Sequence, residues 1–268
     1  MKFDISNDEI GLAHNDKSLC GRVFKWSGTD TLALFEKNSK DPKTYELLKM
    51  HGWLDPECIT YCYNKHGYRD EEFDNRPAGI ALGCSYTEGV GVPEHTTWGN
   101  VLGRMLGMHV WNLGVGGGSL DTVFRVLEYW LPKLTPKFVA ICIPSVSRME
   151  VFRGKNPQGI DGPLNIGPWP NQPDVRYDQF YRDWIVSDAN MIMLRRKNLL
   201  AIQQLCDQAN IPLVMKHDDL MIDIFARDTG IKYVNETRLA RDLSHPGVQN
   251  HDYFAQQIYN NLPMELKQ

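Results

Sequence analysis

In Ala78-Gly79-Ile80-Ala81-Leu82-Gly83-Cys84-Ser85-Tyr86-Thr87 a short apolar run ends in Gly83 and feeds directly into Cys84-Ser85-Tyr86-Thr87. A run without polar alternation is the pattern of a parallel strand buried on both faces. The same pattern recurs outward from it. Thr97 stands where it can cap a helix whose Trp98, Val101, Leu102 and Met105 fall on one face. His109-Val110-Trp111-Asn112-Leu113 reads as a second strand. Gly114-Val115-Gly116-Gly117-Gly118 follows, then a helix opening at Ser119 with Leu120, Val123, Phe124, Leu127 and Leu131 along one stripe, which Pro132 is expected to end. Phe138 to Ile143 is the third strand and Ile211 to Met215 the fourth, with a long helix between them, capped at Ser187 and running to Asn210. A weaker fifth, Ile231 to Val234, follows Gly230, and a last helix starts near Pro246 with Val248, Phe254, Ile258 and Leu262 on one face. Strands alternating with helices imply a parallel sheet covered on both sides, hence an α/β fold of three layers, α/β/α, with about five strands.

At 268 residues the chain is long enough for one large core with a modest addition. Residues 1–76 have a different texture, polar with dispersed aromatics (Phe24, Trp26, Phe35, Trp53, Tyr61, Tyr63, Tyr68), and are expected to form an N-terminal extension packed on a main domain over 77–268. Within the extension, Asp41-Pro42 is an N-cap followed by a first-turn proline, which predicts a short surface helix to Met50. Gly, Pro and Asn crowd residues 151 to about 175, too many breakers for a regular element, so a long loop serving as lid or substrate wall is expected there.

Charged residues make up 23 % and hydrophobic ones 42 %, and the formal net charge of −4 offers no attraction to nucleic acid or an anionic membrane. No stretch approaches the ~18 uninterrupted apolar residues of a membrane span. Met1 to Gly11 carries Asp4, Asp8 and Glu9 and lacks the basic start and apolar stretch of a secretory signal, so a cytoplasmic location is expected. The six cysteines are read as reduced. His51, Cys58, Cys62 and His66 come closest to a metal set, but the spacing is not C-x-x-C, and Cys58 to Tyr63 reads as a strand whose alternate residues include both thiols. Neither a metal nor an organic cofactor is expected.

In open parallel sheets, ligands sit beyond the carboxyl ends of the strands. Three stretches are expected on that rim: Ser85, the glycines 114–118, and Ser145 to Arg148. A serine hydroxyl becomes a nucleophile when an imidazole, itself oriented by a carboxylate, takes its proton. Asp242-Leu243-Ser244-His245-Pro246 offers base and orienter within one turn, and the proline fits the first turn of the last helix. Alone, Ser85 reads as a turn serine, Asp242 as a turn cap and His245 as a helix cap. Their joint presence favours chemistry. The glycine run lacks the G-x-G-x-x-G spacing of a dinucleotide loop. Cys84 is a rival nucleophile, although neighbouring strand residues point to opposite faces, so only one of Cys84 and Ser85 faces the rim. His251 reads as a helix-surface residue, and His217-Asp218-Asp219 as a helix start near the rim.

Gly83-Cys84-Ser85-Tyr86-Thr87 resembles the nucleophile block of the SGNH (GDSL-like) hydrolases, and Asp242-x-x-His245-Pro246 their C-terminal block. Asn112 to Gly117 resembles the second block, so that residues 78 to 260 are covered. The resemblance implies a flavodoxin-like fold and selects Ser85 over Cys84. It implies a serine esterase with a Ser85, His245, Asp242 triad and an oxyanion hole that includes the amide of Gly117, with Gly116 close behind. Two positions depart from the family: Cys84 stands where an aspartate is usual, and Pro144 to Glu150 lacks the usual asparagine donor. Ser145 or Ser147 could donate in its place and Arg148 could add charge; one lost oxyanion donor costs on the order of a hundredfold in rate. Tyr63 to Arg69 resembles an Asn-x-x-Gly-aromatic-Arg stretch of carbohydrate-directed members, which implies a small-molecule or sugar O-acyl ester as substrate. An O-acyltransferase, a non-catalytic carbohydrate-binding module and a structural protein are the alternatives left open.

Overall fold

The computed structural model describes residues 8–14, 17–153, 162–169, 179–185, 187–217 and 239–267. In chain order its elements are β1 (Val23–Phe24), α1 (Leu32–Lys40), α2 (Pro42–Met50), β2 (Tyr61–Cys62), β3 (Ala78–Gly83), α3 (Ser85–Glu88), α4 (Trp98–Leu106), β4 (His109–Gly114) and α5 (Leu120–Leu134). These are followed by β5 (Val139–Cys142), β6 (Met149–Arg153), β7 (Gly162–Ile166), α6 (Asp188–Ala209), β8 (Leu213–Lys216) and α7 (Val248–Asn261).

The apolar runs pair as parallel strands in the order β4-β3-β5-β8. Counted within the sheet, this is 2-1-3-4, the flavodoxin-like doubly wound order. Winding reverses between β3 and β5, and the rule for open α/β sheets puts a ligand beyond the carboxyl ends at such a reversal; Ser85 follows β3 at that end. Both faces of the sheet are covered. Ile80, Leu82, Leu113 and Ile141 meet α5 and α6 on one side, while Ala81, Val110, Ala140 and Val214 meet α4 and α7 on the other. Leu82 and Ile141 are fully buried, and side chains of their size each contribute about 2 kcal/mol by burial. α5 opens with a capping box between Ser119 and Thr122, and α6 with the Ser187 cap. Residues before β3 carry a satellite cluster, in which Leu48, Trp53, Ile59, Tyr61 and Tyr63 pack with Val92 and Ala240.

Several expectations change. Among the described residues the sheet has four strands, and the expected fifth at Ile231 to Val234 lies outside them. The helix expected to stop at Pro132 runs on to Leu134. A proline this near a helix end forfeits a single N–H bond, and Thr135 then closes the helix in the left-handed region (φ 38°). The stretch read as an irregular loop contains the antiparallel ribbon β6–β7, in register from Met149 with Ile166 to Arg153 with Gly162. A proline at the strand start and paired apolar residues outweigh its breakers. Of Cys58 to Tyr63 only Tyr61–Cys62 is strand, so Cys58 lies outside it. Pro246 precedes the last helix, whose N-cap is Gly247, and bridges to Leu239 instead.

Candidate active site

Ser85 is the first residue of α3, and its amide therefore has no helical carbonyl to reach. Cys84 turns into the cluster with Trp98 and Phe254, while the Ser85 hydroxyl faces His245 Nε2 at 2.8 Å. Two glycines make this junction possible. A Cβ on Gly114 would lie 2.3 Å from the Glu88 amide nitrogen, and one on Gly91, at φ +78°, would lie 2.8 Å from the Ala240 Cβ. Bare backbone at these positions lets β4 and the 240–245 turn close on α3.

That turn is held by its own bonds, from the Ala240 amide to the His245 carbonyl and from the Leu243 amide to the Ala240 carbonyl, each 2.9 Å. Leu243 sits at φ 54°, a costly conformation for leucine, between Asp242 and His245. Asp242 Oδ1 accepts the amides of Ser244 (3.1 Å) and His245 (3.0 Å). Its Oδ2 accepts His245 Nδ1–H at 2.6 Å, the Ser244 hydroxyl at 2.7 Å and the Thr29 hydroxyl at 2.6 Å. Burial would raise the Asp242 carboxyl, but His245 and these donors outweigh it and hold the group below the ordinary carboxylate range. Nδ1–H on the carboxylate leaves Nε2 free to accept the Ser85 proton.

After β4, Gly117 adopts φ +71° in a turn closed by the Gly118 amide on the Val115 carbonyl (2.9 Å). A Cβ on Gly117 would lie 3.4 Å from the Trp169 ring and 4.0 Å from the Asn165 Cβ, so the β6–β7 ribbon covers this glycine. Asn165 Oδ1 accepts the Thr122 hydroxyl at 2.8 Å. That hydroxyl also accepts the Ser119 amide, and among the described residues the Asn165 NH₂ has no hydrogen-bond partner. The Ser145 and Ser147 hydroxyls bond to each other at 2.7 Å. Ser145 and Arg148 line a small crevice together with Leu194, Arg195 and Asn198 of α6.

Thr29, Ser244 and Asn165 join the residues expected from sequence: Ser244 lies inside the Asp242–Pro246 turn, whereas Thr29 and Asn165 carry no local signal. His251, expected on a helix surface, is fully buried, with Nδ1 accepting the Trp98 amide at 3.0 Å. Burial pushes its imidazole down to about 3. His217 meets Arg195, and Asp218 and Asp219 lie outside the described residues.

Among the described residues, the His, Cys, Asp and Glu side chains close enough to share a metal ion are Asp70, Glu71 and His109. Asp70 is already occupied by the Asn112 amide (2.6 Å) and Glu71 by Arg76 (2.6 Å), a structural use of both carboxylates. His51, Cys58, Cys62 and His66 form no such group. No helix among the described residues is long and apolar enough to cross a membrane.

No family model matches the chain, and no curated protein does. Solved structures to which it is similar include the esterase EstA of Pseudoalteromonas sp. (15% identity, 73% of this chain and 100% of that one, TM-score 0.34). The acetyl xylan esterase Est2A of Butyrivibrio proteoclasticus is another (10%, 74% and 66%, 0.40), as is a lipase/acylhydrolase of Enterococcus faecalis (10%, 69% and 94%, 0.34).

Proposed function

We propose that the chain is an SGNH-type serine hydrolase that cleaves a short acyl ester, such as an O-acetyl group on a sugar, from a main domain over 77–268 with residues 1–76 packed on it. The observation that carries this reading is the unbroken hydrogen-bonded chain Ser85 Oγ, His245 Nε2, His245 Nδ1, Asp242 Oδ2, with spacings of 2.8 and 2.6 Å. His245 takes the Ser85 proton as the hydroxyl attacks the ester carbonyl, and Asp242 stabilises the imidazolium. The proton then passes to the leaving alkoxide, and water releases the acyl group by the same route in reverse. The amides of Ser85 and Gly117 donate to the oxyanion together with a side chain from Asn165, Ser145 or Ser147. Asn165 is the leading donor because it adjoins Gly117 and its NH₂ has no partner among the described residues, whereas the two serines bond to each other. No step calls for a metal or organic cofactor.

Treatment with a fluorophosphonate probe, followed by peptide mass spectrometry, tests the reading. Label on Ser85 that disappears in His245→Ala, with turnover of p-nitrophenyl acetate, is the expected result. A folded chain that takes no label and turns over no ester would refute it and favour a binding or structural role.

A further inference from the structure

Ser27-Gly28-Thr29-Asp30 is a two-residue hairpin. The Ser27 amide donates to the Asp30 carbonyl at 3.0 Å, the Asp30 amide donates to the Ser27 carbonyl at 3.1 Å, and Gly28 supplies φ +61°. Each of its three side chains ends on a different part of the candidate site. The Ser27 hydroxyl bonds the Tyr63 hydroxyl (2.6 Å), which donates to Glu88 Oε1 (2.7 Å), on the helix that begins with Ser85. Thr29 donates to Asp242 Oδ2 at 2.6 Å, and its oxygen lies 3.3 Å from His245 Nδ1. Asp30 forms a buried ion pair with Arg241, the residue before Asp242, at 2.6 Å. Arg241 is further pinned by the carbonyls of Lys25 and Pro56 and by the Trp26 ring, 3.9 Å from its guanidinium.

We infer that this hairpin is a clasp that sets the catalytic alignment, with Thr29 as a positioning residue for Asp242 and His245. The inference rests on the esterase reading for its kinetic consequence. Ser85 follows β3 and His245 precedes α7, 160 residues apart, and their 2.8 Å contact must be kept to within a few tenths of an ångström. The Ser27 branch holds the nucleophile side and the Asp30 branch the acid–base side. Thr29, exposed in itself, contributes little packing and donates to the one carboxylate oxygen that also receives the imidazole. The N-terminal segment thereby becomes a working part of the site.

Thr29→Val keeps the shape and deletes the hydroxyl; Thr29→Ser keeps the hydroxyl. The expected result is a fall of tenfold or more in kcat for Thr29→Val with KM within about twofold, and Thr29→Ser within threefold of the parent. A second readout needs no turnover: the downfield proton resonance of His245 Nδ1–H, assigned by its loss in His245→Ala, shifts in Thr29→Val and returns in Thr29→Ser. An unshifted resonance, or unchanged kcat, overturns the inference. If the parent turns over no ester while the resonance still shifts in Thr29→Val alone, the clasp stands and the esterase reading falls.

Discussion

Asp242→Asn isolates the electrostatic heart of the site, because the surroundings dictate how the new amide must sit. Oδ1 accepts two backbone N–H groups, from Ser244 and His245, so an asparagine is forced to put its oxygen there. Its NH₂ then occupies the Oδ2 position, facing Thr29, Ser244 and His245 Nδ1. The two hydroxyls can rotate and accept. His245 can accept only by surrendering the Nδ1 proton, and the remaining proton moves to Nε2, 2.8 Å from Ser85, where the base is needed. The imidazole then offers Ser85 a donor instead of an acceptor, and the developing imidazolium loses its carboxylate. The loss expected in kcat is on the order of 10⁴-fold, about 5.5 kcal/mol at 1.36 kcal/mol per tenfold. Steady-state turnover of p-nitrophenyl acetate at neutral pH, with thermal melting to confirm the fold, is the assay. A folded Asp242→Asn chain within tenfold of the parent would refute the tautomer argument.

Asn165→Ala is expected to lower kcat by roughly a hundredfold or more, the usual cost of an oxyanion donor, while Ser145→Ala and Ser147→Ala stay within severalfold; the reverse ranking in the same ester assay would return the role to the serines. His251 gives a pH signature in stability. Its folded-state value lies near 3 against an ordinary 6.5, so the unfolded chain binds the proton first, and stability, full above about pH 6.5, falls by up to ~1.4 kcal/mol per unit below it. Urea midpoints at pH 7 and pH 5, above the carboxylate range, should fall more steeply for the parent than for His251→Gln, and parallel losses would contradict this.

Much of the fold was legible because its information is local. Residues 78–83 and 139–142 are continuous apolar runs, and 109–113 is interrupted only by His109 and Asn112, since both faces of their sheet are covered and a buried strand has little place for a polar side chain. Asp242 and His245 were legible for the same reason, their hydrogen bonds closing within one turn. The ribbon Met149–Arg153 with Gly162–Ile166 was hidden by its glycines and prolines, because antiparallel pairing is a contact between segments and leaves no mark in composition. His251 resembled a surface residue because a helix period shows which residues share a face and not what covers that face.

Local pattern alone carries the order of the four sheet strands and the helices that flank them, the serine after β3, and an aspartate and a histidine in one turn, all properties of residues within a few positions of each other. Three contacts exist only in the folded chain: Thr29 reaches Asp242 across 213 residues, Asp30 locks Arg241, and Asn165 lies against Gly117. Such contacts depend on where the packed layers bring the chain back upon itself. A hydroxyl or an amide carries no period that announces its partner.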